Sequence, residues 1–417
     1  MAFTFVHAAD LHLDSPFKGL STASIEVGNI LKDAVHRAFD NLVDLCIEQG
    51  ARFLVLSGDL FDWGDKSLRA QLVLRDGLSR LSENEIETFI VWGNHDPLSS
   101  TTFPFSWPKG VYIYGANKVA TRFVEADYPT PVAISGISHE RAGERRNLVS
   151  LFEPLRQKMF RIGIVHANLG SDTGHLPYAP CTLDDLIGLD VDYWALGHVH
   201  TRAIRHSRPF VVYPGNIQAL SIRETGPRGC YVVKVQDDGT INLEFKELDI
   251  VRFALCKIDI SELGDLDALE QALLQSVTEL RKHAGGRMLI VRINLFGNGY
   301  LYSKLQDRQD LDALLERQRD IFSDASPIVW IKDIVSSFAP PIDLEERARA
   351  QDLLGKILRL SEGLAKDERS LNQILDQALN PLFRNVRARE VLDEPDKEEI
   401  LDMLKGAQKL LVRLFEG

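Results

Sequence analysis

Five short islands of histidine, aspartate and asparagine interrupt apolar runs in the first half of this chain. They are Asp10-Leu11-His12, Gly58-Asp59-Leu60-Phe61-Asp62, Gly93-Asn94-His95-Asp96, Val165-His166-Ala167 and Gly197-His198-Val199-His200. Their donors are imidazole nitrogens and carboxylate or amide oxygens without thiolate, a combination suited to manganese, iron or zinc. Together Asp10, His12, Asp59, Asn94, His166, His198 and His200 are too many ligands for one ion and about right for two. Two divalent cations about 3.5–4 Å apart acidify a shared water and clamp a phosphate for in-line attack. The chemistry these residues point to is phosphoester hydrolysis.

Within that scheme Asp59, following Gly58 at the end of an apolar run, is the natural bridging carboxylate. Asp10 and His12 would bind the first cation from one loop, and His200 would complete it. Asn94, His166 and His198 would join Asp59 around the second. His198 and His200 share one side of an extended segment and can reach neighbouring ions. His95 stands beside a ligand without being one, which makes it the candidate general acid at the departing oxygen. Asp62 and Asp96 are placed to orient imidazoles from behind. A lone Asp-x-His or Gly-Asp pair is commonplace, but all five islands in this order are not. The other histidines, His7, His36, His139, His175, His206 and His283, read as packing or surface residues.

The elements that must position these groups are legible around them. Each island follows a run patterned as a buried strand: Phe3 to Ala9, Phe53 to Leu56, Phe89 to Trp92, Ile162 to Val165 and Tyr193 to Leu196. Ligands at the ends of several parallel strands converge on one crevice in an open α/β sheet. Apolar residues at helical spacing predict helices over Ile25 to Glu48, through Ile30, Ala34, Ala38, Leu42 and Leu45, and over Ser67 to Leu81, through Leu68, Leu72, Leu78 and Leu81. Strands alternating with helices imply parallel pairing by crossovers. Closer-spaced strands, at Val111 to Tyr114, Val132 to Gly136, Phe210 to Tyr213, Tyr231 to Val235 and Ile241 to Phe245, predict a second, partly antiparallel sheet packed on the first.

From about Val251 the character changes to a compact βαβαβ pattern ending near Ile334, with no cluster of acids, histidines or cysteines. Binding or shaping, not chemistry, is its expected job. Pro340-Pro341 punctuates its end. Beyond, three apolar stripes read as helices: Leu353, Leu354, Ile357 and Leu358; Leu371, Ile374, Leu375 and Leu379; and, after Pro395, Ile400, Met403, Leu404, Ala407, Leu410, Leu411 and Leu414. Either they pack on their own chain or they dock on a partner. The expected domains are residues 1–250, 251–338 and 339–417.

At 417 residues, two or three domains of roughly 150 residues each are expected. Composition is that of an ordinary globular protein, 45% hydrophobic and 26% charged. Cys46, Cys181, Cys230 and Cys256 form no C-x-x-C pair, which argues against a disulfide framework or thiolate zinc site and fits a reducing cytoplasm. The opening Met1-Ala2-Phe3-Thr4-Phe5-Val6-His7 lacks a basic leader region, and no apolar run approaches the roughly 18 residues of a membrane span. A cytoplasmic protein without a membrane partner is expected. A net charge of -12 counts against a protein that coats nucleic acid. It does not exclude a nucleic-acid enzyme, because two bound cations reverse the potential inside a cleft. The basic clusters Arg141/Arg145/Arg146, Arg202/Arg205/Arg208 and Arg223/Arg228 each read as solvated surface when taken alone.

The five islands in this order resemble those of the calcineurin-like metallophosphoesterase superfamily, over about the first 235 residues. Finer wording resembles the YhaO-type branch of SbcD-like DNA repair nucleases: His7-Ala8-Ala9-Asp10-Leu11-His12-Leu13-Asp14-Ser15-Pro16-Phe17, Arg69-Ala70-Gln71-Leu72, Tyr178-Ala179-Pro180 and Tyr213-Pro214-Gly215-Asn216. The resemblance implies a two-sheet metallophosphoesterase sandwich flanked by helices, then a small α/β capping domain and a C-terminal helical segment. It implies a manganese-dependent DNA exonuclease or endonuclease in DNA repair. Its expected partners are DNA and an SbcC-like coiled-coil ATPase bound by the C-terminal helices, and homodimers occur in the family. Relatives in archaea and eukaryotes carry a histidine where this chain has Asp62, so that residue's role does not transfer. Two other readings compete: a phosphatase or phosphodiesterase for nucleotides or small esters, and a mainly structural subunit that tethers an ATPase to DNA.

Overall fold

The apolar runs of the first half pair into two sheets. The computed structural model describes residues 3–13, 15–17, 25–62, 67–100, 105–124, 131–157, 159–170, 178–305, 307–338, 344–366, 395 and 397–416. In chain order the first compact unit contains β1 (Phe3–Ala8), α1 (Ile25–Glu48), β2 (Phe53–Ser57), α2 (Leu68–Glu83), β3 (Glu87–Val91), β4 (Val111–Ile113), β5 (Ala120–Val124), β6 (Val132–Ile137) and β7 (Arg161–His166). It continues with α3 (Leu183–Ile187), β8 (Tyr193–Gly197), β9 (Ala203–Ser207), β10 (Phe210–Tyr213), β11 (Gly229–Val235) and β12 (Ile241–Glu247). One sheet runs β12-β11-β1-β2-β3-β4 and the other β5-β6-β7-β8-β10-β9. Strands β1 to β4 are mutually parallel, with β11 and β12 antiparallel at one side. In the second sheet β6, β7, β8 and β10 are parallel, and β5 and β9 close the edges antiparallel.

Two sheets with helices match the expected architecture, but their membership differs from the expectation. Strands β4, β11 and β12 join the first sheet, whereas β7 and β8, which lead into His166 and His198, belong to the second. The reason is burial. Strands covered on both faces read as continuous apolar runs, so their pattern does not say which sheet they enter. Strand β1 shows this. Phe3 and Phe5 pack into the layer between the sheets, against Phe53, Phe89, Ile162 and Tyr193, while Val6 and Ala8 face the helices. Strand β2 repeats the alternation, with Phe53 and Val55 between the sheets and Leu54 and Leu56 under α1 and α2. This is the two-residue period of a strand with two apolar neighbours.

Helix α1 buries Leu31, Val35, Ala38, Phe39, Leu42 and Cys46, a stripe turned slightly from the expected one. Helix α2 starts where Ser67 accepts a hydrogen bond from the Ala70 N–H, an ordinary N-cap. Its core face runs through Ala70, Leu74, Leu78 and Leu81, and the expected Leu68 is 59% exposed instead. Strands β5 and β9 escaped the sequence reading because, as edges, they bury few side chains.

The chain divides after Phe253, and the second compact unit holds the remainder. There β13 (Val251–Asp259), β14 (Met288–Gly297) and β15 (Val329–Phe338) form a sheet in the order β13-β14-β15. Helices α4 (Leu266–His283) and α5 (Arg308–Ile321) lie between them in sequence, and Leu269, Leu273, Val277 and Leu314 fill the core with Leu289, Val291 and Ile331. Then come α6 (Leu344–Ala348), α7 (Leu353–Lys366) and a last helix, Lys397–Glu416. Ala348, Leu354 and Leu358 pack on Val412, with Leu411 alongside. The expected stripes are only partly buried, since Leu353, Met403 and Leu410 are exposed. Pro340-Pro341 and the stripe Leu371, Ile374, Leu375 and Leu379 lie outside the described residues, as do Asp14, His175 and the Leu414 side chain.

Close packing in the second sheet is testable at Gly163 on β7. A Cβ there would sit 2.4 Å from the ring of Trp194, which is fully buried. Gly163→Ala should cost about 1–3 kcal/mol, the usual range for overpacking. Urea denaturation of the purified chain would read this as a lower midpoint at unchanged slope.

Candidate metal centre

All five islands lie where parallel strands end. The turn after β1 runs beside the turn after β2: Asp10 N–H donates to Gly58 O at 3.0 Å, His12 to Asp59 O at 3.1 Å, and Leu13 to Leu60 O at 3.0 Å. From the other sheet, His198 N–H reaches the Asp10 carboxylate at 3.1 and 3.2 Å. Asp10, His12, Asp59 and His198 all have positive φ, of 52, 46, 52 and 104°. Side chains rarely adopt that region, and each instance costs on the order of 1–3 kcal/mol. Such strain persists only where the surrounding structure imposes it. Gly93 is needed for close approach, because a Cβ there would fall 2.1 Å from Asp59 Oδ1.

These turns bring all seven expected ligands together as two adjacent groups. Ligand atoms of Asp10, His12 and His200 lie within 4.8 Å of one another, and so do those of Asp59, His166 and His198. Asn94 joins the second group, its Oδ1 lying 3.0 Å from His166 Nε2 and 3.1 Å from His198 Nδ1. Between His12 Nε2 and His200 Nε2 the distance is 3.1 Å. His166 Nε2 is 3.2 Å from Asp59 Oδ2.

The protons on these rings show that the residues fit divalent cations. His166 Nδ1 donates to Ser57 O at 2.9 Å, so a neutral His166 presents a bare Nε2 to Asp59 and Asn94. His200 Nδ1 donates to Glu224 Oε1 at 2.6 Å, so a neutral His200 presents a bare Nε2 to His12. Ring nitrogens fixed from behind in this way are how proteins prepare imidazole ligands. Separations near 3 Å suit two donors that each sit about 2.0–2.2 Å from a shared ion. His12 Nδ1 is buried with no hydrogen-bond partner.

Electrostatics favour positive charge here. Burial alone would lower the His166 pKa, but Asp59 and then Asp10 raise it to about 9. Burial would raise Asp59, yet His166 holds it well below the usual carboxylate range. Burial lifts Asp10 to about 6 against the pull of His166 and His200. It lowers His12 to about 3, helped by His200, so that ring is neutral.

His95 belongs to a third cluster, in which its ligand atom and those of His12 and Asp62 lie within 4.8 Å of one another. Its N–H donates to Asp59 Oδ1 at 2.9 Å, and its Nδ1 meets Asp62 Oδ1 at 2.5 Å. Ser15 Oγ holds the other oxygen of Asp62 at 2.5 Å. Against burial, the Asp62 hydrogen bond and the Asp59 charge raise the His95 pKa to about 9. Asp62 thus orients an imidazole as expected. Asp96 acts on backbone, accepting from the N–H groups of Leu60 at 2.6 Å, Phe61 at 3.2 Å and Gly93 at 2.8 Å, and so ties the Asp59 turn to the Asn94 turn.

Several contributors had no sequence signal. Glu224 drew no attention in the sequence, and Arg228, read there as solvated surface, is 7% exposed and donates to His200 O. His139 is buried and donates to His166 O at 2.6 Å, so its packing role supports a ligand turn. His7 lies wholly buried between the sheets, bonded to Tyr193 and Ser57. His36, His206 and His283 bond nearby carbonyls.

The family described as calcineurin-like phosphoesterase matches residues 3–202, and the middle domain of metallophosphoesterase YhaO matches residues 253–338. Over 412 residues the chain is 32% identical to the metallophosphoesterase YhaO of Bacillus subtilis, spanning 98% of this chain and 97% of that protein. The chain belongs to the calcineurin-like metallophosphoesterases. Members of that family use divalent metals, in keeping with the ligand groups above. The DNA double-strand break repair protein Mre11 of Thermoplasma acidophilum is 23% identical over 288 residues, 66% of this chain and 74% of that one. Mre11 of Sulfurisphaera tokodaii is 29% identical over 210 residues, 48% and 49% of the two chains. Among the described residues no helix of this metallophosphoesterase is long and apolar enough to cross a membrane.

Substituting Gly93 tests the centre without removing a ligand. Gly93→Ala should push Asp59 aside and weaken divalent-cation binding by about tenfold or more, the scale of outer-shell losses. Equilibrium dialysis against Mn2+, alongside a circular-dichroism spectrum showing a retained fold, checks this.

Proposed function

We propose that this metallophosphoesterase is a manganese-dependent DNA nuclease that hydrolyses phosphodiesters in DNA repair with an SbcC-like ATPase. The observation that carries the proposal is the meeting of two ligand groups, Asp10–His12–His200 and Asp59–Asn94–His166–His198, at the ends of strands from two sheets. Its extension to DNA is supported by the Mre11 relatives, whose names describe double-strand break repair.

Two divalent cations held by these residues would supply Lewis acidity toward the phosphate and toward the attacking water. Asp59, whose turn Asp96 and Gly93 fix, would be among the residues that hold them. His95, oriented by Asp62 and Ser15, keeps Nε2 for the departing oxygen, to which it gives a proton as the P–O bond breaks. All three metal-competent groups among the described residues lie in the first unit. The domain over 251–338 serves binding instead of chemistry. In the segment 339–417, the exposed Leu353, Leu360, Met403, Leu410 and Phe415 offer apolar surface for the ATPase.

The purified chain should digest end-labelled duplex or single-stranded DNA with Mn2+ and stop on chelation. Faster cleavage of nucleotide or aryl phosphates than of any DNA would favour the small-ester reading. His95→Asn should retain both cations and lose about 10²–10⁴-fold in turnover. Metal content falling in step with activity would make His95 a ligand. Asp59→Asn should abolish cleavage, and survival of activity and repair function together would favour the tethering subunit.

A further inference from the structure

One short segment holds His200 from two directions. Glu224 Oε1 accepts from His200 Nδ1 at 2.6 Å, and Glu224 Oε2 accepts from the Leu220 N–H at 2.6 Å. Arg228 donates to the His200 carbonyl at 2.5 Å and to Asn216 Oδ1 at 3.1 Å. Asn216 N–H donates to the same carbonyl at 3.3 Å. The Glu224 side chain is only 17% exposed. In the other ligand group His166 Nδ1 donates instead to a neutral peptide carbonyl, that of Ser57. His12, the second imidazole beside Asp10, has a buried Nδ1 without a hydrogen-bond partner. Of the two imidazoles beside Asp10, His200 is therefore the one oriented through its Nδ1, and that orientation comes from residues 216–228.

A carboxylate behind an imidazole fixes the tautomer and makes the far nitrogen a stronger donor than a neutral carbonyl does. We infer that Glu224 is a positioning residue that commits His200 Nε2 to the cation held by Asp10 and His12. The two cation sites are then unequal, and filling of this one is governed by Glu224. The inference rests on the two-cation reading above and adds the asymmetry between its halves.

Glu224→Gln is the informative variant because it preserves shape. A carboxamide has a single acceptor oxygen, so it cannot serve both His200 Nδ1 and the Leu220 N–H. Equilibrium dialysis of the full chain against Mn2+ should show two ions in the wild type. The variant should keep one at wild-type affinity and bind the other about 10–100-fold more weakly. Electron paramagnetic resonance at Mn2+ levels that fill both wild-type sites should change from a spin-coupled pair to an isolated ion. Unchanged affinities, or equal weakening of both ions, would overturn the role of Glu224. Fewer than two ions on the wild type would instead sink the two-cation reading itself, without reference to any variant. If Glu224→Gln does not fold, nitrogen-edited proton NMR of the wild-type chain loaded with Zn2+ decides the point. His200 must carry its proton on Nδ1, and a proton on Nε2 would overturn the inference.

Discussion

Everything at this centre depends on the two sheets closing to backbone contact where β2 meets β7 and β8. A Cβ on Gly197 would lie 1.9 Å from Ser57 O, so only a glycine lets β8 come this near to β2. The same carbonyl accepts from His166 Nδ1, and the Ser57 hydroxyl donates to Ala195 O at 3.1 Å. His7 completes the seam, with Tyr193 of the second sheet on one nitrogen and Ser57 of the first on the other. Ligands borne on separate sheets can sit about 3 Å apart only if their scaffolds are pinned this closely.

Pinning has consequences for the backbone and for charge. Four of the expected ligands have positive φ, because their strands have ended and their side chains must turn back toward the seam. Their strain is opposed by a mesh of backbone bonds between the turns, of which Asp96 is the densest knot. Burying Asp10, Asp59 and Asp96 in one place would destabilise the fold if nothing positive faced them. Imidazoles supply some of that charge, as the raised His166 pKa shows. Divalent cations supply more of it in the same volume, so a centre of this composition is compensated best when loaded.

How much of this could be read from residues alone follows from the physics of each signal. The ligand islands were legible because five of them occur in one order, although each alone is commonplace. Helix α1 was legible to its boundaries, from Ile25 to Glu48, because its apolar period is long and unbroken. Sheet membership was not, since β1, β2, β7 and β8 are buried on both faces and their runs carry no mark of their neighbours. Glu224 was invisible for a different reason. Its relation to His200 spans 24 positions and is made by the fold, and Ser221-Ile222-Arg223-Glu224 has the look of a surface turn. The face of α2 was misjudged by leucine count, because the close approach to α1 is made by Gly77 beneath Phe39.

The chain's acidity also finds its place in this arrangement. With a net charge of -12, the basic clusters in the sequence were the obvious counterweight for a polyanionic substrate. In the fold three of these arginines are occupied elsewhere. Arg146 is held by Glu144 through paired bonds at 2.9 and 2.6 Å, Arg202 stacks on Phe245 at 4.0 Å, and Arg228 is buried behind His200. Divalent cations at the seam would neutralise a phosphate there without calling on these three arginines. Such cations would act at the reacting phosphate alone, whereas a basic face would hold a polyanion everywhere along its length.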